Sequence, residues 1–119
     1  MVFSLLVLSA PTNGQGAAAA LRFAQAALAA GHRLRQVFFH ADAVAAAVHL
    51  EAPLDEPQLE AAWATIAQRH GVPLLACETA LARRGLDAVG IPHGSVTPGT
   101  LGQFMLALGE CDRVITFAG

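Results

Sequence analysis

Four short apolar runs, separated by segments of helical period, most tightly limit what this chain can fold into. They are Val2 to Leu8, Leu34 to Phe39, Val72 to Ala76 and Arg113 to Phe117. Strands joined through helices do not pair as hairpins, since a tight turn serves only antiparallel neighbours. They form right-handed βαβ units and a parallel sheet covered on both faces. The expected fold class is therefore α/β: three layers, α/β/α, around a mainly parallel sheet of four or five strands, flavodoxin-like in general architecture. A fifth, short strand is expected within the Gly- and Pro-containing stretch Leu86 to Gly99.

The connecting segments carry their own punctuation. "APTNGQG" is a turn-rich loop opening a helix that runs to about Ala30, with Leu21, Ala24 and Leu28 on one face and Gly31 as its stop. A short helical piece is predicted over Ala41 to Val48, followed by the exposed connection "HLEAPLDEP". Asp55 and Gln58 have capping-box spacing, and Leu59, Ala62, Trp63, Ile66 and Ala67 then keep to one helical face. Thr100 and Gln103 form a second capping box, ahead of a helix with Leu101, Phe104, Met105 and Leu108 on one face. No composition shift or repeat interrupts the 119 residues, which read as one α/β domain spanning 1–119.

Composition excludes several functions. The net charge is -2, there is no Lys, and the seven Arg are scattered along the sequence. Nucleic-acid binding requires a dense cationic face, so no direct contact with RNA or DNA is expected. The apolar run near the start is far shorter than the roughly 20 residues needed to span a bilayer. It has no basic residue before Arg22, so neither a membrane anchor nor a signal peptide is expected. Two Cys without close spacing form neither a zinc motif nor a disulfide framework, which fits a reducing, cytoplasmic setting. The hydrophobic share of 55%, much of it Ala, exceeds the interior of so small a domain and points towards a subunit interface.

In parallel α/β sheets, reactive groups gather at the carboxyl ends of the strands. Three features fall there: Cys77, His40 and the loop from Pro11 to Gly16. Cys77 stands where the third apolar run gives way to a helix closed by Arg83, Arg84 and Gly85. It is either a small apolar filler or an exposed thiol whose anion is favoured by the unpaired amides of the helix's first turn. Glu78, beside it, acts against that anion. Arg83 and Arg84 either support an anion or complement the last turn of their own helix. His40 either works as an acid or base or merely ends a strand. His32, His49, His70 and His93 lack metal-ligand spacing, and no metal is expected. "NGQG", Asn13 to Gly16, lacks both the full dinucleotide spacing and a following Lys, so a plain turn is favoured over an anion site. Cys111 precedes the last strand and is read as packing rather than as a disulfide partner of Cys77.

The chain resembles the DsrE/TusD family of sulfur-relay proteins over nearly its whole length, and most of all its TusD members. Four patches carry the likeness: "VFFHADAV" from Val37, "CETALARRG" from Cys77, "LGQF" from Leu101 and "CDRVITFAG" from Cys111. The resemblance implies a DsrE-like domain in a hetero-oligomer with TusB-like and TusC-like subunits. It implies that Cys77, ahead of the Arg-Arg-Gly stretch, is a sulfurtransferase's carrier residue, receiving sulfane sulfur as a persulfide from a TusA-like donor. A TusE-like acceptor would take the sulfur onward to 2-thiouridine in tRNA, whereas related DsrE–DsrF–DsrH complexes serve dissimilatory sulfur oxidation. A non-catalytic binding subunit of such a complex is the alternative. Neither a metal nor an organic cofactor is implied. The sequence departs from the family's pattern at Glu78 and Thr79, at Ala43 for a usual Gly, at His40 for a usual aromatic, and in a shorter Leu86 to Gly99 loop.

Overall fold

The computed structural model describes residues 1–9, 15–47, 56–85 and 96–119. Their strands are β1 (Val2–Val7), β2 (Arg33–Phe39), β3 (Leu74–Cys77), β4 (Val96–Gly99) and β5 (Arg113–Phe117). The helices are α1 (Gly16–Ala29), α2 (Glu56–His70), α3 (Glu78–Arg83) and α4 (Leu101–Ala107), with a 3₁₀ segment at Ala41–Ala47 and another at Leu108–Glu110. The five strands form one sheet in the order β4-β3-β2-β1-β5, and every ladder is parallel. The expected parallel α/β architecture is the one observed, with its fifth strand at Val96–Gly99.

Two apolar clusters show how the layers assemble. On one face Leu5, Val7, Val37, Phe39 and Leu74 pack against Leu21 and Ala24 of α1 and Trp63 and Ile66 of α2. Trp63 meets Phe39 edge to face at 5.6 Å, a favoured geometry for aromatic pairs. On the other face Phe38, Val44, Ala76 and Cys77 pack against Ala80 and Leu81 of α3 and Phe104 of α4. Each fully buried Leu or Phe contributes about 1.5–3 kcal/mol relative to exposure, so these faces hold the helices on the sheet.

Local chemistry sets the element ends. Gly31 and Gly85 take φ of 88° and 68° just past α1 and α3, the left-handed closure that glycine adopts without steric cost. At α4, Thr100 Oγ1 accepts from the Gln103 amide and Gln103 Oε1 accepts from the Thr100 amide, so the expected capping box is formed. The box expected at Asp55 involves a residue outside those described.

Two expectations shift. β3 begins at Leu74 rather than Val72 and extends through Cys77. Pro73 has no N–H to give a ladder, although its carbonyl accepts from the Val37 amide. Cys77 is thus the last residue of the strand, in register with Gly99. On α4, Phe104 and Ala107 are buried while Leu101 and Met105 are 44% and 61% exposed. Phe104 and Ala107 are three apart, and Met105 lies about 100° round the helix from Phe104, on the side away from Ala107.

Gln36 ties β2 to both the neighbouring strand and α4. It is 1% exposed, and its Nε2 donates to Ser4 Oγ at 3.2 Å and to the Phe104 carbonyl at 3.0 Å. Removing the donor leaves buried acceptors unserved. Gln36→Leu is expected to lower unfolding free energy by about 1–3 kcal/mol, read as a reduced urea midpoint with unchanged m-value.

Candidate functional site

Cys77 sits where β3 hands over to α3, and it is the N-cap residue of that helix, with φ −62° and ψ 118°. Its side chain makes no capping hydrogen bond, so the amides of α3's first turn do not hold the sulfur in this conformation. Cys77 is 3% exposed and belongs to the apolar cluster of Phe38, Val44, Ala76, Ala80, Leu81 and Phe104. The exposed, amide-held thiol expected from the sequence is therefore not the arrangement found. The reason lies in the tertiary packing: the 3₁₀ segment after β2 brings Val44 onto the same cluster, and α4 brings Phe104.

His40 follows the last residue of β2, one step beyond the Phe39–Ala76 register pair, so it leaves the sheet beside Cys77. Its amide donates to the Val7 carbonyl and its own carbonyl accepts from the Ala43 amide. The ring lies 6.1 Å from that of Phe38. Its Nδ1 is buried and has no hydrogen-bond partner among the described residues. The next residue, Ala41, has φ 53°, a left-handed conformation costly for a residue with a Cβ.

The two arginines lie at the other end of α3. Six residues at 1.5 Å each separate the ends of that helix by about 9 Å. Arg84 donates through Nη1 to the Ala80 carbonyl at 3.3 Å and through Nη2 to Asp42 Oδ1 at 2.7 Å. It thereby caps its own helix and ties it to the 3₁₀ segment. Arg83 is exposed and makes no hydrogen bond among the described residues. Neither guanidinium meets the thiol, so the anion-supporting role is not built here, and the helix-end role is.

Sequence reasoning missed Asp42. Only the fold brings it to Arg84, 42 positions away, where the pair links the segments bearing Val44 and Ala80. Both partners are partly exposed (35% and 55%), which places the pair among those worth about 0.2–1 kcal/mol. Cys111 is a free thiol donating to the Leu108 carbonyl at 3.3 Å, in keeping with packing.

At the start of α1 the amides of Gln15 and Gly16 both donate to the Gly119 carbonyl, at 2.9 and 3.0 Å. The Gly119 amide in turn donates to Ser9 Oγ at 2.6 Å. A Cβ on Gly16 would lie 2.9 Å from that same oxygen, which explains a glycine there. The helix start that a nucleotide site would use is thus engaged by the Gly119 carbonyl. The rest of that loop, His49 and His93 lie outside the described residues. Among the described residues no group of three or more His, Cys, Asp or Glu could hold a metal, and no helix is long and apolar enough to cross a membrane.

The fold is a parallel five-stranded α/β sheet whose third strand ends in a cysteine. The chain belongs to the DsrE/DsrF-like family, whose model matches residues 1–117. Among curated relatives it is 39% identical to "Sulfurtransferase TusD" of Serratia proteamaculans, over 94% of this chain and 96% of that one. It is 37% identical to the protein of that name from Salmonella arizonae, over 98% of this chain and 100% of the other. For the Pectobacterium carotovorum protein of that name the identity is 39%, again over 98% and 100%. Among solved structures, the ychN protein from E. coli superposes with a TM-score of 0.79 at 24% identity, covering 98% of this chain and all of that one.

A thiol buried this deeply reacts from an opened conformation, at a rate set by how often the cover lifts. In a Cys111→Ser background, iodoacetamide should modify Cys77 slowly. Asp42→Asn should raise that rate about two- to fivefold, the equivalent of one partly exposed ion pair. An unchanged rate would show that the Asp42–Arg84 pair does not hold the cover.

Proposed function

We propose that this chain is a sulfurtransferase of a sulfur relay and that Cys77 is its carrier. The supporting observation is the position of Cys77: the one described cysteine at the carboxyl edge of the sheet, in a chain 37–39% identical over nearly full length to proteins named Sulfurtransferase TusD. Cys111 lies before β5, at the edge where the strands begin.

The chemistry asks little beyond one thiol. The Cys77 thiolate attacks the outer sulfur of a donor's persulfide; the donor's S–S bond breaks and the donor leaves as a thiolate. Cys77 then carries the extra sulfur as its own persulfide. An acceptor thiolate attacks that outer sulfur, and Cys77 is released as a thiolate. Each step exchanges one S–S bond for another, so there is no net oxidation, and protons follow the thiolates to and from solvent. The apolar pocket of Phe38, Val44, Leu81 and Phe104 suits the resting carrier, since it keeps the sulfur from water and stray thiols between transfers.

A TusA-like donor and a TusE-like acceptor are the partners this reading implies, with TusB-like and TusC-like sister subunits in a cytoplasmic hetero-oligomer and 2-thiouridine in tRNA as the end point. A DsrE-type role in dissimilatory sulfur oxidation would use the same step at Cys77. His40 is proposed as a supporting residue, because its ring stands beside the cluster that holds Cys77 and its Nδ1 lacks a partner among the described residues. Arg83 and Arg84 are assigned structural roles at the end of α3. The burial of Cys77 also favours a second reading, a binding subunit whose cysteine is only a packing residue.

Intact mass spectrometry separates the two. After incubation with a persulfide donor protein, the carrier reading expects one added sulfur, about 32 Da from the mass of the element, lost on reduction and absent in Cys77→Ser. Addition at Cys111 would relocate the carrier. Absence of addition in the chain assembled with its sister subunits would leave the binding subunit.

A further inference from the structure

The opposite edge of the sheet, where the strands begin, carries a feature that sulfur transfer at Cys77 does not use. A cavity of about 360 Å³ opens there, with His32, Arg33, Arg35 and His70 among its lining residues. A groove of about 440 Å³ between α1 and α2 adjoins it through Leu28 and His70 and adds Arg69. No carboxylate lines either space. Two of the seven Arg thus line one cavity, and a third lines the groove beside it, in a chain whose net charge is -2.

The backbone explains part of this convergence. The β1–β2 register passes from Phe3–Leu34 to Ser4–Gln36, leaving Arg35 as the extra residue of a bulge. Bulges re-aim side chains, and Arg35 Nε here donates to Glu110 Oε2 at 2.6 Å. Its terminal guanidinium N–H groups make no hydrogen bond among the described residues, nor does any part of Arg33's side chain.

Cations beside a helix end ordinarily serve its last carbonyls. At α1 those carbonyls are already served: the amides of Ala30, His32 and Gly31 donate to the carbonyls of Ala26, Ala27 and Leu28. Arg33 is therefore left over from the needs of the fold, and Arg35, paired with Glu110 through Nε, keeps its terminal N–H groups free among the described residues. Guanidinium forks match tetrahedral oxyanions bidentately, and a cavity of this size admits a small molecule rather than a folded partner.

We propose that this cavity is a binding site for a small polyvalent oxyanion, sulfate or phosphate, free or as the terminal group of a small metabolite. Arg33 and Arg35 hold the anion and His70 lies alongside. The site is remote from the thiol: β2 begins at Arg33 and its seven residues carry the chain about 20 Å to the Cys77 edge. It does not depend on Cys77 being a carrier, so Cys77→Ser should bind anions like the parent chain.

Backbone amide NMR of the full chain tests it, titrating sodium sulfate, sodium phosphate and ribose 5-phosphate against sodium chloride at matched ionic strength. Saturable shifts are expected at Arg33 to Arg35 and His70 to Val72. Arg33→Gln should weaken the affinity about tenfold or more, whereas Arg22→Gln, outside the cavity, should not. Tighter binding of ribose 5-phosphate than of inorganic phosphate would assign a metabolite's terminal group, and equal binding would assign the free ion. Shifts that grow without saturating, alike in both variants, would reduce the effect to general salt action and overturn the site. Saturable binding of a hexaglutamate peptide with none of the small anions would overturn it too, in favour of an acidic protein segment.

Discussion

The parallel ladder is the constraint on which the rest of this molecule depends. Parallel strands leave their partners only through covered crossovers, so both faces of the sheet must be apolar and both must find helices. β2 meets that demand most fully. It lies between β1 and β3, sends Val37 and Phe39 to α1 and α2, and sends Phe38 to α3 and α4. Its single buried amide, Gln36, is tolerable because Ser4 and the Phe104 carbonyl receive its donors.

From that ladder follows the placement of the thiol. β3 contributes four residues, and its last one is Cys77. A cysteine at that position lies both in the strand's apolar register and at the edge where chemistry is possible. The structure resolves the double role in favour of concealment at rest. Val44 and Phe104, from segments far apart in sequence, close over the sulfur's surroundings, and Asp42 with Arg84 ties the 3₁₀ segment to α3. The proposed carrier role gains from such a cover, because a persulfide left in water is open to any passing thiol.

Much of the fold was legible in sequence, for identifiable reasons. Val2–Val7 and Arg113–Phe117 are strands within one residue of their apolar runs, because continuous apolar runs bounded by polar or turn residues have few alternatives. The capping box at Thr100 and Gln103 was readable because it needs only local spacing. The candidate site was legible as a set of positions: Cys77 ends β3, and His40 directly follows the neighbouring β2. Its state was not. Leu101 and Met105 share a helical face with Phe104 by spacing, yet only Phe104 is covered, since burial depends on what the sheet presents to a seven-residue helix.

Sequence alone determined the order of the elements, the parallel sense of the sheet and the strand end on which each candidate side chain falls. Those follow from period, apolar run length and end signals, all local properties of the chain. The tertiary structure alone decided that Cys77 is buried, that Arg84 serves Asp42 and Ala80 rather than a thiolate, and that Arg33 and Arg35 line one cavity with Arg69 in the groove beside it. These depend on residues tens of positions apart meeting in space, and no local pattern records such meetings.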